Sequence, residues 1–294
     1  MKLGIIGNGF VGNAIAHAFV PYTTVRVHDK NPEKSLDTLS DVVNHSDVVF
    51  VCVPTPMTQE GNIDLSIVES VFSDISKCKK NNKAVFVLKS TVVPGSTRRL
   101  KKKYPQLPIV FNPEFLTERH ARFDFINQSR IILGFENDLN DQSTNMFADK
   151  VKNLYNMRFS SNNFITTNYE TAEMIKYFNN LFFAVKVSFM NEMKLVSENI
   201  KEINWDKAVR GFVSDGRVGD SHLQVPGPDG KKGFGGSCFP KDINAFMTFT
   251  DSIGLDLSVI KGAWKTNLKV RPERDWEKLE GRAVSNKGEK NEVI

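Results

Sequence analysis

The opening stretch, "MKLGIIGNGFVGNAIAHAF", constrains this chain more than any other. A short apolar run meets three glycines spaced G-x-G-x-x-G, and apolar residues at helical spacing follow. A strand that enters a helix through such a turn is built to hold a dinucleotide. Gly7 permits the tight turn, Gly9 lets the backbone approach a pyrophosphate, and Gly12 lets the helix lie against the strand. The helix N-terminus then offers unpaired N–H groups to the phosphates. The next strand pattern, "TTVRVHD", ends in Asp29, 17 positions after Gly12. A carboxylate there accepts bonds from ribose hydroxyls and repels the 2′-phosphate of NADP, so the pattern points to NAD; the adjacent Lys30 is the one feature favouring NADP. Gly7, Gly9, Phe10, Val11, Gly12 and Asp29 are the resulting cofactor candidates.

The strand–helix alternation continues. "VVFVC" is a continuous apolar run of the kind buried in parallel sheets, and "AVFVL", "PIVF" and "RIILGF" repeat it. Residues 1–168 are therefore expected to form an α/β, Rossmann-like doubly wound parallel sheet of six strands. Ligands sit at the carboxyl ends of such strands. Those ends carry Val53 and Thr55, then Ser90 and Thr91, then Asn112, Pro113 and Glu114. Beyond them, residues 169–200 read as one long, largely apolar helix. Further helical text follows, broken by the loop "VPGPDGKKGFGG". A central all-α domain is expected over 169–280, and a polar tail over 281–294 is expected to fray.

With 294 residues, 40% of them hydrophobic, the chain can bury about two domain cores. Three cysteines are too few and too scattered for a disulfide framework, which implies a reducing, cytoplasmic setting. The start lacks the pattern of a signal peptide, and no apolar run is long enough for a membrane helix. A net charge of +5 favours anionic ligands without implying nucleic acid. The run "RRLKKKY" reads as a solvated helix face, with no stacking aromatics or nucleic-acid module nearby. No metal site is expected.

Two stretches carry reactive groups. Lys176 lies in the apolar helix among Ile175, Tyr177 and Phe178, with Asn180 four positions on and on the same face. A lysine there either snorkels to solvent or lines a site. Further on, "GFGGSCFPKD" sets Cys238 behind a run of glycines and ahead of Lys241 and Asp242. A thiol near a cation is a nucleophile, and the glycines would give the loop freedom to bend around a ligand. Cys52, inside "VVFVCVP", reads as core filling, and Cys78 as a helix-surface residue. Taken alone, these residues indicate an NAD-dependent dehydrogenase with a candidate catalytic thiol.

The motifs "GNGFVG", "KSTVVPGS", "NPEFLTE", "EMIKYFNN", "DGRVGD" and "GFGGSCFPKD", in this order, resemble the UDP-glucose and GDP-mannose dehydrogenases, and the UDP-glucose 6-dehydrogenases among them. The resemblance implies oxidation of the C6 alcohol of a nucleotide sugar to a carboxylate with two NAD per turnover. It implies that Cys238 attacks the C6 aldehyde, that Lys176 stabilises the oxyanion, and that Asp242 with Asn180 and Lys176 holds a water. Glu114 becomes the general base for hydrolysis and Thr91 orients the same water. Glu118 is implied beside the nicotinamide. Glu114, Phe115, Leu116 and Glu118 are implied against the sugar nucleotide, together with Lys176, Asn180, Lys231, Phe234 and Gly235. Arg217 is implied to reach the substrate of a neighbouring subunit, in a homodimer formed by the central helices. The last helix, with Leu257, Ile260 and Trp264, is expected to need cover as well.

Members of that family usually continue into a second Rossmann-like domain, whereas this sequence ends at Ile294. The expectation is therefore a short form without the nucleotide-capping domain, acting on UDP-glucose. Three alternatives stay open: a sister activity on GDP-mannose or a UDP-N-acetylhexosamine, a two-electron hydroxyacid dehydrogenase, and a non-catalytic NAD- or nucleotide-sugar-binding subunit.

Overall fold

A computed structural model describes residues 1–80, 84–136, 142–159 and 163–286. The chain divides into two compact units, Met1–Thr55 with Leu65–Lys176, and Pro56–Asp64 with Tyr177–Ile294. The first is built on one sheet of β1 (Leu3–Ile6), β2 (Val25–His28), β3 (Val48–Val51), β4 (Val85–Leu88), β5 (Ile109–Phe111), β6 (Ile131–Phe135) and β7 (Phe164–Asn168). Their order is β2-β1-β3-β4-β5-β6-β7. Leu3 of β1 faces Val25 on one side and Val48 on the other, and β1 to β5 all run parallel.

Two features depart from the expected sheet. β6 pairs antiparallel with β5, and β7 runs parallel to β6, so the last two strands are reversed. The seventh strand, "FITTN", was missed because it is only half-buried and lacks an apolar run.

Helices α1 (Phe10–Phe19), α2 (Leu39–His45), α3 (Ser66–Cys78), α4 (Ser96–Lys103), α5 (Ala121–Ile126) and α6 (Gln142–Arg158) belong to this unit. Successive strand residues point to opposite faces, which makes two cores. Phe50 and Val87 join Ala14 and Phe19 of α1 and Leu154 of α6; Val49 and Phe86 join Val42 of α2 and Phe72 of α3.

Helix α7 (Tyr169–Asn199) is one unbroken element of 31 residues. Its first eight residues, through Lys176, cluster with the first unit. Glu173 explains this attachment: its carboxylate accepts the backbone N–H of Gly95 at 2.6 Å and of Thr97 at 2.8 Å, capping α4. Burial raises the Glu173 carboxyl to about 7.

The second unit comprises the rest of α7 with α8 (Trp205–Val213), α9 (Phe239–Ser252) and α10 (Ser258–Val270). Beyond α10 the chain folds back. Trp276 is buried against Trp264, ring centroids 5.3 Å apart, and shares a cluster with Met57 and Ala283. Trp264 is thus covered from within its own unit, contrary to expectation. The tail also departs from expectation: Met57 N–H donates to Ala283 O at 2.9 Å, and Ser285 Oγ donates to Asp64 at 2.9 Å. Residues 281–286 are held by these bonds; residues 287–294 of the expected tail lie outside the described residues. Among the described residues no helix is long and apolar enough to cross a membrane.

Candidate active site

In the first unit the three glycines of the opening turn differ in what surrounds them. A Cβ on Gly7, whose φ is +93, would lie 2.6 Å from Cys52 O, and one on Gly12 would lie 2.0 Å from Gly7 O. Gly9 alone faces open space, with nothing within 4 Å of its notional Cβ. The first and third glycines therefore close the turn against the sheet, and the second leaves room for an approaching group. Gly9 is also the N-cap of α1 and makes no side-chain cap bond, so the first N–H groups of the helix stay available. Asp29 accepts Asn8 N–H at 2.6 Å and Asn31 N–H at 2.8 Å, one on each oxygen. Each oxygen retains a lone pair for a ribose hydroxyl. Phe10 and Val11 pack half-buried on the core behind. This cradle fits an NAD pyrophosphate and ribose.

The strand ends named from sequence are laced together. Ser90 Oγ donates to Val53 O at 2.6 Å, and Thr55 Oγ1 donates to Thr91 O at 2.8 Å. Glu114 and Lys176 form a buried ion pair: Lys176 Nζ lies 3.0 Å from Glu114 Oε1 and donates to Glu114 O at 2.6 Å. The second carboxylate oxygen accepts Leu116 N–H at 2.8 Å. The Phe115 ring receives two cations, Arg130 at 4.5 Å and Lys176 at 5.5 Å. Of the two readings for Lys176, the snorkel fails; its side chain is 4% exposed. Glu118 opens a short 3-10 turn and is exposed.

Sequence reasoning missed a second buried lysine. Lys89 Nζ donates to Asn112 Oδ1 at 3.1 Å and to Pro113 O at 3.3 Å, and Tyr155 OH donates to the same Asn112 oxygen at 2.6 Å. Burial lowers the Lys89 ammonium to about 8. The available signal was a lysine closing the apolar run "VFVLK". Burial also raises the Cys52 thiol to about 12, as suits an inert core residue.

In the second unit Cys238 is the N-cap of α9, with proline in the first turn, and Asp242 N–H donates to Cys238 O at 2.9 Å. Asp242 is buried, accepts Asn180 Nδ2 at 2.5 Å, and is ion-paired with Lys241. All three cysteines are thiols. The loop ahead of Cys238 is tied down at two of its residues. Gly233 N–H donates to Asn191 at 3.1 Å, and Phe234 exchanges two bonds with the Asn267 amide, at 2.7 and 3.0 Å. A Cβ on Gly235 would lie 2.4 Å from the Arg271 guanidinium. Gly235 thus provides close approach, and Arg271 is another residue that sequence reading passed over. Lys231 pairs with Glu273 at 3.1 Å, and Arg217, 89% exposed, pairs with Asp215 at 2.5 Å.

Residues 28–158 match the NAD-binding domain model of the UDP-glucose/GDP-mannose dehydrogenase family, and residues 170–269 match its central domain. A UDP-glucose 6-dehydrogenase of Rickettsia typhi is 35% identical over 235 residues, covering 77% of this chain and 50% of that protein. Among solved structures, a UDP-glucose dehydrogenase from Pyrobaculum islandicum aligns with a TM-score of 0.78 at 25% identity, over 96% of this chain and 71% of that one. A UDP-D-ManNAc dehydrogenase from Pyrococcus horikoshii, at 21% identity and a TM-score of 0.76 over 92% of this chain and 69% of its own, shares the fold. The chain spans about half the length of the UDP-glucose 6-dehydrogenases it matches.

Proposed function

Because the chain belongs to the UDP-glucose/GDP-mannose dehydrogenase family, we propose that it oxidises the C6 alcohol of UDP-glucose to the carboxylate, with Cys238 carrying the carbon between the two oxidations. The observation that carries this reading is the grouping of Cys238 with Asp242 and Asn180 in the second unit, where Asp242 follows Cys238 by one helical turn and accepts the Asn180 amide. In the first unit, Lys176 is assigned the role of the ammonium, with Glu114 as its partner.

Bound NAD, held at Gly7, Gly9, Gly12 and Asp29, would supply the hydride acceptor for both oxidations, and the proton of the C6 alcohol passes out through the water held by Asp242. Cys238 Sγ adds to the aldehyde carbon, its proton leaving to water held by Asp242. Lys176 is assigned to the oxygen that becomes negative, since a desolvated ammonium stabilises charge best. Loss of the second hydride leaves a thioester on Sγ. Glu114 takes a proton from water as that water attacks, the C–S bond breaks, and the carboxylate departs. Its carboxylate has lone pairs beyond the two bonds it makes. Thr91, on the strand end beside Thr55, orients the same water. Holding the aldehyde as a covalent adduct prevents its escape and gives the carbon a hydride to lose.

Phe115, Leu116 and Glu118 with Lys231, Phe234 and Gly235 are assigned to the nucleotide sugar. Arg217 is assigned to the substrate of a second copy: its side chain is 89% exposed, and a guanidinium matches phosphate oxygens once it exchanges Asp215 for them. A homodimer through α7 is supported by Phe178 and Phe182, 61% and 63% exposed, with Phe189 and Val196 also exposed along the same helix. The test is NADH released by the purified chain across UDP-glucose, GDP-mannose and UDP-N-acetylhexosamines. Two NADH per UDP-glucose consumed is the expected result; NAD binding with no reduction by any sugar nucleotide would leave a binding subunit instead.

A further inference from the structure

The loop that delivers Cys238 rests on a buried guanidinium. Arg271, just past α10, is 2% exposed. Its Nε donates to Asp275 Oδ1 at 2.6 Å, and its Nη2 donates to Asp275 Oδ2 at 3.0 Å and to Asp229 Oδ2 at 2.7 Å. Its Nη1 reaches Lys232 O at 3.5 Å, and Asp275 accepts Gly236 N–H at 3.4 Å. Burial pushes the Asp229 and Asp275 carboxyls up, but the Arg271 bonds outweigh it and both lie below the usual range. Gly235 lies so close to the guanidinium that a Cβ would meet three of its atoms at 2.4–2.6 Å. Neither binding nor chemistry, as described so far, uses any of these three charged residues.

We propose that Arg271 is a positioning residue for the Cys238 thiol: gripped by Asp229 and Asp275, its guanidinium is the platform over which Gly235 and Gly236 turn to present Cys238 at the head of α9. The proposal rests on Cys238 being the nucleophile. The physical need is plain. Glycines at 230, 233, 235 and 236 leave the unfolded loop more freedom than any other residue would. Something must fix it, because a 1 Å misplacement of a reacting group costs about 100-fold in rate. A planar fork bonded to two carboxylates fixes orientation as well as distance, which a lysine cannot do.

The experiment compares the full chain with Arg271→Lys, Arg271→Met, Gly235→Ala and, as a control, Met190→Ala. Met190 is buried in the same unit and packs with Leu223 and Val225, and it makes no bond to Arg271, Asp229 or Asp275. Four quantities are read: kcat, KM for UDP-glucose, Tm, and the rate of Cys238 alkylation by iodoacetamide from peptide mass. Both Arg271 variants should lose about 100-fold in kcat with KM within a few-fold, and their Cys238 alkylation rate should shift several-fold. Gly235→Ala should repeat the loss in the wild-type background and add little on top of Arg271→Met, since the intruding methyl then meets no guanidinium. Should Arg271→Met fail to fold, Arg271→Lys and Gly235→Ala carry the test. Arg271→Lys and Gly235→Ala within twofold of wild type in kcat and alkylation rate would overturn the proposal. So would Met190→Ala losing as much kcat at an equal Tm. Alkylated wild-type enzyme that still makes NADH would instead sink the nucleophile, while the alkylation rates would still report on the platform.

Discussion

Lys89 illustrates how one buried charge leaves a signature in solution. Burial lowers its ammonium to about 8 from an ordinary 10.5. Between those values the unfolded chain binds the proton and the folded chain releases it, so stability contributed at this site rises with pH from about 8 to 10.5. Urea unfolding of wild type and Lys89→Met, compared at two pH values inside that window, should show wild type gaining about 1.4 kcal/mol per pH unit relative to the variant. Parallel stability curves would contradict the burial account. Lys176 has a different environment, with a carboxylate 3.0 Å away. Lys176→Met leaves Glu114 buried without its cation, so it should cost roughly 3–5 kcal/mol in stability, read from the same urea transitions. Lys176→Met should also abolish NADH formation.

At the scale of elements, α7 is fastened to α4 by a side chain that crosses between them. Glu173→Ala uncaps two N–H groups of α4 and should lower stability by about 2 kcal/mol, measured as a fall in the urea midpoint. An unchanged midpoint would show the cap to be dispensable. The elements that positioned the site were legible wherever a local pattern existed. The glycine turn, five buried strands and α7 read directly because burial imposes apolar runs and periods. β7 did not, since "FITTN" is half-buried and polar. The reversal of β6 has no local mark at all. The glycines before Cys238 were read as a source of freedom because their restraints, Arg271 and Asn267, lie more than 30 residues away in sequence. Trp264 was read as exposed for the same reason: its cover, Trp276, arrives by a fold-back that no periodicity encodes.

For the molecule as a whole, the proposed dimer rests on the apolar face of α7 in the second unit. Phe178, Phe182, Phe189 and Val196 are 45–63% exposed along α7. A charge placed there, as in Phe182→Glu, should convert a dimer to a monomer in light scattering at micromolar concentration, with turnover falling because Arg217 would no longer reach a second copy. A monomeric wild type of equal turnover would refute that assembly. The central claim is that Cys238 holds the sugar carbon covalently, and acid-quenched peptide mass spectrometry tests it most directly. Glu114→Gln enzyme turned over with UDP-glucose and NAD should accumulate a sugar-nucleotide thioester on the Cys238 peptide, absent in Cys238→Ser. Wild-type rates of uronate formation by Cys238→Ser, with no adduct on any peptide, would contradict it.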